Sequence, residues 1–251
     1  MSALTPLFLA GPDGKHIRGD HAEGQSRQIL FVTGFLSKRW GNKSKALVQW
    51  CHEQGWGFCC YDVRGFGDSE GQFTDYTLSD WIADAHTVLQ SMQSGPPITL
   101  VGNSLGSWIA WLVAQELSIV EELILIAPAF NMMGERVTTI SKDRLHHWHA
   151  AGWMPWDDDP LHKDWPLSWK WVEESERYWA STFNVTRHVK TTILHGLQDS
   201  VIDPEGSRRF SDKLHRLVPS FPLDLRLIQG DHRLSSPEHL DLFRRLVLRE
   251  A

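Results

Sequence analysis

Short apolar runs alternate with helix-length segments along almost the whole chain, and this alternation constrains the fold more than any other feature. The runs fall at residues 29–33, 58–62, 98–102, 123–127, 191–194 and 223–228, and most are continuous apolar stretches closed by Gly, Asp or Asn. A strand with one wet face would alternate apolar and polar residues, so these read as strands buried on both faces. Between them, residues 43–54, 77–92, 105–116, 204–217 and 237–248 carry helical patterns. Thr77 and Asp80 offer capping groups, and Pro204 and Pro237 suit a first helical turn, where a missing N–H costs nothing. Repeated strand–helix–strand order predicts an α/β fold with a mostly parallel central sheet and helices on both faces. Ahead of it, Pro12-Asp13-Gly14-Lys15 reads as a hairpin turn between two short strands, an antiparallel start to the sheet. At 251 residues the chain is long enough for one such domain with a substantial core.

One segment breaks the rhythm. Residues 130–190 put about sixty positions between two strand candidates, too many for a plain connection. We read them as an inserted helical cap, or lid, with 1–129 and 191–251 as the core. Seven of the 13 tryptophans fall here: Trp148, Trp153, Trp156, Trp165, Trp169, Trp171 and Trp179. Such indoles either pack the insertion itself or line an apolar acyl pocket. Trp153 and Trp156, next to the turn Asp157-Asp158-Asp159-Pro160, are the candidates for substrate contact.

A net charge of −6 argues against nucleic acid or an anionic membrane surface as the main partner. No apolar run approaches the roughly 20 residues of a spanning helix, so no transmembrane segment is expected. The start has neither a basic n-region nor an Arg-rich transit pattern. The 3 cysteines, Cys51, Cys59 and Cys60, make no even-numbered disulfide framework and fit a reducing compartment. These features together predict a soluble, cytoplasmic protein.

The chemistry centres on Gly102-Asn103-Ser104-Leu105-Gly106, which closes one strand candidate and opens a helix. A G-x-S-x-G string in that setting forms a sharp elbow that lifts the serine hydroxyl above the sheet, with glycines where strand and helix must approach. The helix N-terminus behind it offers free N–H groups to a developing oxyanion. A second donor is expected from Thr33-Gly34-Phe35-Leu36-Ser37, so the N–H groups of Phe35 and Leu105 form the predicted oxyanion hole. A serine hydroxyl needs a base and an orienting acid, which in this architecture follow later, on loops leaving strands. Asp199, in His195-Gly196-Leu197-Gln198-Asp199, and His232, in Gln229-Gly230-Asp231-His232, stand at those places. Asp203 and Asp231 compete with Asp199 for the acid role. His195 reads as a buried hydrogen-bonding residue.

Other patterns are weaker. His146, His147 and His149 with the nearby aspartates suggest a metal site, but lack H-E-x-x-H spacing, and no metal is expected. The run Asp62-Val63-Arg64-Gly65-Phe66-Gly67 lacks both nucleotide-binding fingerprints, and no cofactor is implied. The cysteines read as core residues.

These pieces together resemble the α/β-hydrolase superfamily, over nearly the whole chain outside the insertion. The strings Gly34-Phe35-Leu36-Ser37, Gly102-Asn103-Ser104-Leu105-Gly106-Ser107-Trp108 and Asp231-His232-Arg233 are most similar to the branch of mitochondrial palmitoyl-protein thioesterases that also cleave acyl glucuronides. Thr33 stands where many of these hydrolases carry His. The resemblance implies a triad of Ser104, Asp199 and His232 with oxyanion donors Phe35 and Leu105. The expected function is hydrolysis of a small-molecule ester or thioester, or of an acyl-protein, through an acyl-enzyme on Ser104, with apolar acyl groups favoured. The same triad supports C–C bond hydrolysis or peptide cleavage, and a hydrolase-derived ligand-binding protein would share the sequence features.

Overall fold

The computed structural model describes residues 3–155 and 165–250. Strands β1 (Thr5–Ala10) and β2 (His16–Ala22) form the expected antiparallel hairpin, closed by Gly11 N–H donating to Lys15 O at 2.8 Å. There follow β3 (Gln28–Val32), α1 (Asn42–Gln54), β4 (Gly57–Asp62), α2 (Leu78–Ser91), β5 (Ile98–Asn103), α3 (Leu105–Ala114) and β6 (Val120–Ile126). Next come α4 (Met132–Thr139), α5 (Lys142–Ala151), the two-residue strands β7 (Trp153–Met154) and β8 (Leu167–Ser168), and α6 (Lys170–Ser181). The chain closes with β9 (Lys190–Gly196), α7 (Pro204–Leu217), β10 (Leu223–Ile228) and α8 (Pro237–Leu248).

The large sheet runs β1-β2-β4-β3-β5-β6-β9-β10, with every pairing from β4 onward parallel. All residues of β3 and β4 are buried, as their unbroken apolar runs require, whereas β10 at the edge is buried at none. Helices α1 and α8 cover one face through Leu47, Trp50, Phe243 and Val247. Helices α2, α3 and α7 cover the other through Trp81, Trp108, Ile109 and Phe210. Because β3, β5, β9 and β10 are parallel, the loops that leave them all rise from one edge of the sheet, where such folds gather their ligands.

The segment between β6 and β9 is bolted to that edge by indoles. Trp171 Nε1 donates to Tyr76 O at 3.3 Å, and Ser79 N–H donates to Glu174 Oε2 at 2.9 Å, joining α6 to the start of α2. From the other side, Trp108 and Trp111 of α3 donate to Thr182 Oγ1 at 2.9 Å and to Thr182 O at 2.8 Å. Trp148 Nε1 donates to Leu167 O at 3.0 Å. Trp148 and Trp171 are fully buried and belong to the same apolar cluster as α2 and α3, so this segment shares the core of the sheet. No helix among the described residues is long and apolar enough to cross a membrane.

Candidate active site

Ser104 sits between the last residue of β5 and the first of α3, with φ 53° and ψ −120°. A non-glycine residue in that region is strained, and the strain persists only where the surroundings over-determine it. Here they do. Ser104 N–H donates to Ile126 O at 2.8 Å, and Ser104 O accepts from Ser107 N–H at 3.0 Å and Ala129 N–H at 3.1 Å. A Cβ on Gly102 would lie 2.4 Å from Ser107 Cα, and one on Gly106 would lie 2.3 Å from the carbonyl oxygens of Val32 and Thr33. Both glycines of the motif are therefore demanded by backbone contact, one within the elbow and one against β3. Leu105 occupies the first helical position, whose N–H has no carbonyl one turn back to bond.

The loop after β3 packs on this elbow, and a Cβ at Gly34 would come within 3.0 Å of Ser104 Cβ. Phe35 anchors the loop. Its ring lies 5.8 Å from Phe73, 6.0 Å from Trp81 and 5.6 Å from Trp171, between a single 3₁₀ turn (Phe73–Asp75), α2 and α6.

Beyond β9, Asp199 is buried and fully bonded. Oδ1 accepts from Val201 N–H and Ile202 N–H, both at 2.8 Å. Oδ2 meets His232 Nδ1 at 2.6 Å and His195 Nε2 at 3.0 Å. Burial alone would raise the Asp199 carboxyl, but hydrogen bonds from His195, His232 and the Ile202 amide outweigh it and hold the group well below the usual carboxylate range. His195 Nε2 also faces Ile202 O at 3.2 Å, so two acceptors assign the proton to Nε2, and Nδ1 accepts from Ser207 Oγ at 2.7 Å. His195 is thus the buried hydrogen-bonding residue expected, and it aims the Asp199 carboxylate.

The competing carboxylates have other work. Asp203 caps α7, its Oδ1 accepting from Glu205 N–H at 3.0 Å. Asp231 Oδ1 accepts from Arg233 N–H at 3.1 Å and Leu234 N–H at 3.0 Å, stapling the loop that carries His232. Lys43 Nζ donates to Arg233 O and lies 3.5 Å from Ser235 Oγ, tying α1 to the same loop. Sequence reading missed Lys43, since a lysine near a helix start usually signals only a solvated face.

Ser104 and His232 border one cavity of about 1410 Å³. Among the described residues Ser104 Oγ makes no hydrogen bond, an arrangement common before substrate tightens such sites. Apolar wall comes from Leu36, Phe130, Met132, Trp179, Phe183 and Val201. Trp153 does not reach this cavity; it is 41% exposed in β7, paired with Ser168 across the short hairpin. Trp156 and Asp157 to Asp159 lie outside the described residues. Among the described residues, the tryptophan of the insertion that reaches the cavity is Trp179, on α6. Cys51, Cys59 and Cys60 are buried free thiols, and burial pushes those of Cys51 and Cys59 up to about 12.

A family model described as serine aminopeptidase, S33, a group of hydrolases, matches residues 25–156. The chain belongs to this α/β-hydrolase family. As a member it is a hydrolase. Human mitochondrial palmitoyl-protein thioesterase ABHD10 is 25% identical over 242 residues, which cover 94% of this chain and 76% of that one. Among solved structures, mouse alpha/beta hydrolase domain-containing protein 10 superposes with a TM-score of 0.83 at 22% identity, covering 98% of this chain and 97% of its own. A hydrolase from Agrobacterium vitis S4 also gives 0.83, at 24% identity and 98% coverage of both chains. At these identities the superpositions speak for the α/β-hydrolase fold.

Proposed function

We propose that the protein hydrolyses carboxylic esters or thioesters through an acyl-enzyme on Ser104. The observation that carries the reading is the 2.6 Å contact of His232 Nδ1 with a buried carboxylate, in a cavity that the strained Ser104 also borders. His232 Nε2 takes the Ser104 proton as Oγ attacks the acyl carbon. Asp199 holds the imidazole with its proton on Nδ1 and stabilises its positive charge. The N–H groups of Phe35 and Leu105 receive the oxyanion. His232 returns the proton to the departing alcohol or thiol, then activates a water that releases the acid and restores Ser104. The apolar wall from Phe130 to Phe183 receives the acyl group, favouring chains longer than acetyl, and the palmitoyl-protein thioesterase relatives support a thioester reading. Buried free thiols support the reducing, cytoplasmic setting expected from composition.

Labelling by a fluorophosphonate tests the mechanism. Wild type should label, and Ser104→Ala should neither label nor turn over a p-nitrophenyl octanoate, with a rate loss of at least about 10³-fold. Labelling of Ser104→Ala would overturn the assignment. The serine aminopeptidase description of the family motivates peptide cleavage as the second reading. Release of nitroaniline from aminoacyl p-nitroanilides faster than ester hydrolysis would favour it.

A further inference from the structure

Resting on the esterase reading above, we propose that His195 is a positioning residue that sets the working pH of the reaction. By donating to the same Asp199 oxygen as His232, it divides the carboxylate's charge between two imidazoles. His232 then stays neutral, and able to act as base, at lower pH than with Asp199 to itself. A buried histidine ordinarily needs only some partner for each ring nitrogen, and any carbonyl or hydroxyl serves. His195 is fully buried at the end of β9, and its Nε2 lies 3.0 Å from Asp199 Oδ2, the oxygen that His232 Nδ1 meets at 2.6 Å. The sharing is imposed. Asp199 Oδ1 is taken by the Val201 and Ile202 amides at 2.8 Å each, so the carboxylate cannot turn to give each imidazole an oxygen of its own. Nor can the two loops part. Leu197 N–H donates to Ile228 O at 2.7 Å and Gln198 N–H to Gly230 O at 2.9 Å, while a Cβ on Gly196 would lie 2.3 Å from Gly230 O. Ser207 Oγ of α7, 2.7 Å from His195 Nδ1, closes the chain from the far side. As donor there it polarises the ring and makes the Nε2–H a stronger donor.

The consequence is electrostatic. Asp199 stabilises the imidazolium of His232 through its charge. A second hydrogen bond to Oδ2 spreads that charge and weakens its hold on the first imidazole. Other charges surround the His232 loop: Asp231 and Arg233 beside it, Lys43 of α1 bonded to Arg233 O, and Lys38 on the cavity wall. None of them changes when His195 is replaced, so they fix the starting point and not the shift.

The test follows kcat/KM for p-nitrophenyl octanoate across the acid limb, from about pH 5 to 9, with Ser104→Ala as blank. His195→Leu removes the donor, and the limb should move up by about half a pH unit or more. His195→Gln, whose amide nitrogen can stand where Nε2 stands, should leave the limb near that of wild type. Ser207→Ala should move it in the same direction as His195→Leu by less, and this milder change decides the matter if His195→Leu does not fold. An unmoved limb in every folded variant that weakens or removes the donor, even with a lower plateau, is what a merely structural residue gives; it overturns the proposal and leaves the esterase reading standing. A limb that moves as far in His195→Gln as in His195→Leu overturns it too. Absence of turnover by wild type on esters and thioesters alike overturns both.

Discussion

Lys43 shows how a single residue can be set against the stability of its own fold. Burial drives its ammonium down from 10.5 to about 8, with Asp231 opposing the shift and Arg233 adding to it. Between those two values the unfolded chain holds a proton that the folded chain has given up. Wild-type stability therefore rises with pH across that window, and below about 8 the fold carries the full cost of the buried charge. Lys43→Met removes the titration together with the hydrogen bond to Arg233 O. The difference in Tm between wild type and Lys43→Met should therefore move in favour of wild type as pH rises from 8 to 10.5. A difference that stays constant over that range would contradict the burial argument. Asp199 is the opposite case: its surroundings favour the charge, because each carboxylate oxygen has two hydrogen-bond partners.

At the scale of elements, the segment between β6 and β9 is held by side-chain to backbone bonds more than by a core of its own. Thr182, just after α6, accepts from Trp108 Nε1 through its hydroxyl and from Trp111 Nε1 through its carbonyl. Thr182→Val keeps the shape and the carbonyl but leaves a buried indole N–H without a partner, which costs about 1–3 kcal/mol. In chemical denaturation the midpoint should fall accordingly. The same substitution in a Trp108→Phe background should cost much less, because both partners of the bond are then gone. Equal losses in the two backgrounds would show that the Trp108–Thr182 bond is not the cause. The same elements explain why the tryptophans were only partly legible. Seven of them in one segment fit either packing of the insertion or a lining role, and side-chain direction, which separates the two, depends on the angle at which each helix meets the sheet. Trp148 and Trp171 are core bolts, Trp153 faces outward, and Trp179 reaches the cavity.

For the whole molecule, acid stability collects the carboxylates whose charged form the fold favours. Asp13 is lowered to about 2, its small burial outweighed by bonds from Tyr76, the Lys15 amide and Arg64. Asp199 lies well below the usual range, and Glu122 is lowered by Lys190, Arg249 and Arg27 against the pull of its burial. A lowered folded value means stability that is present above the unfolded carboxylate value near 4 and is lost as pH falls toward about 2. Thermal unfolding followed by circular dichroism should show Tm dropping below about pH 4, with a shallower drop in Asp199→Asn. A Tm unchanged down to pH near 3 would refute this.

The sequence by itself determined the elements, their order and the elbow, because hydrophobic period, capping groups and turn glycines act within a few residues of chain. Every strand and helix expected from it is found, with ends shifted by no more than four residues, the largest shift being at the end of β2. Only the tertiary structure shows that, of Asp199, Asp203 and Asp231, three carboxylates within 33 positions, Asp199 is the one bonded to His232, because that meeting depends on how the loops of β9 and β10 pack together. It also brought Lys38, Lys43 and Arg233 to the lining of one cavity. These residues lie up to about two hundred positions apart, and parallel strand pairing, which no local pattern encodes, is what sets their loops side by side.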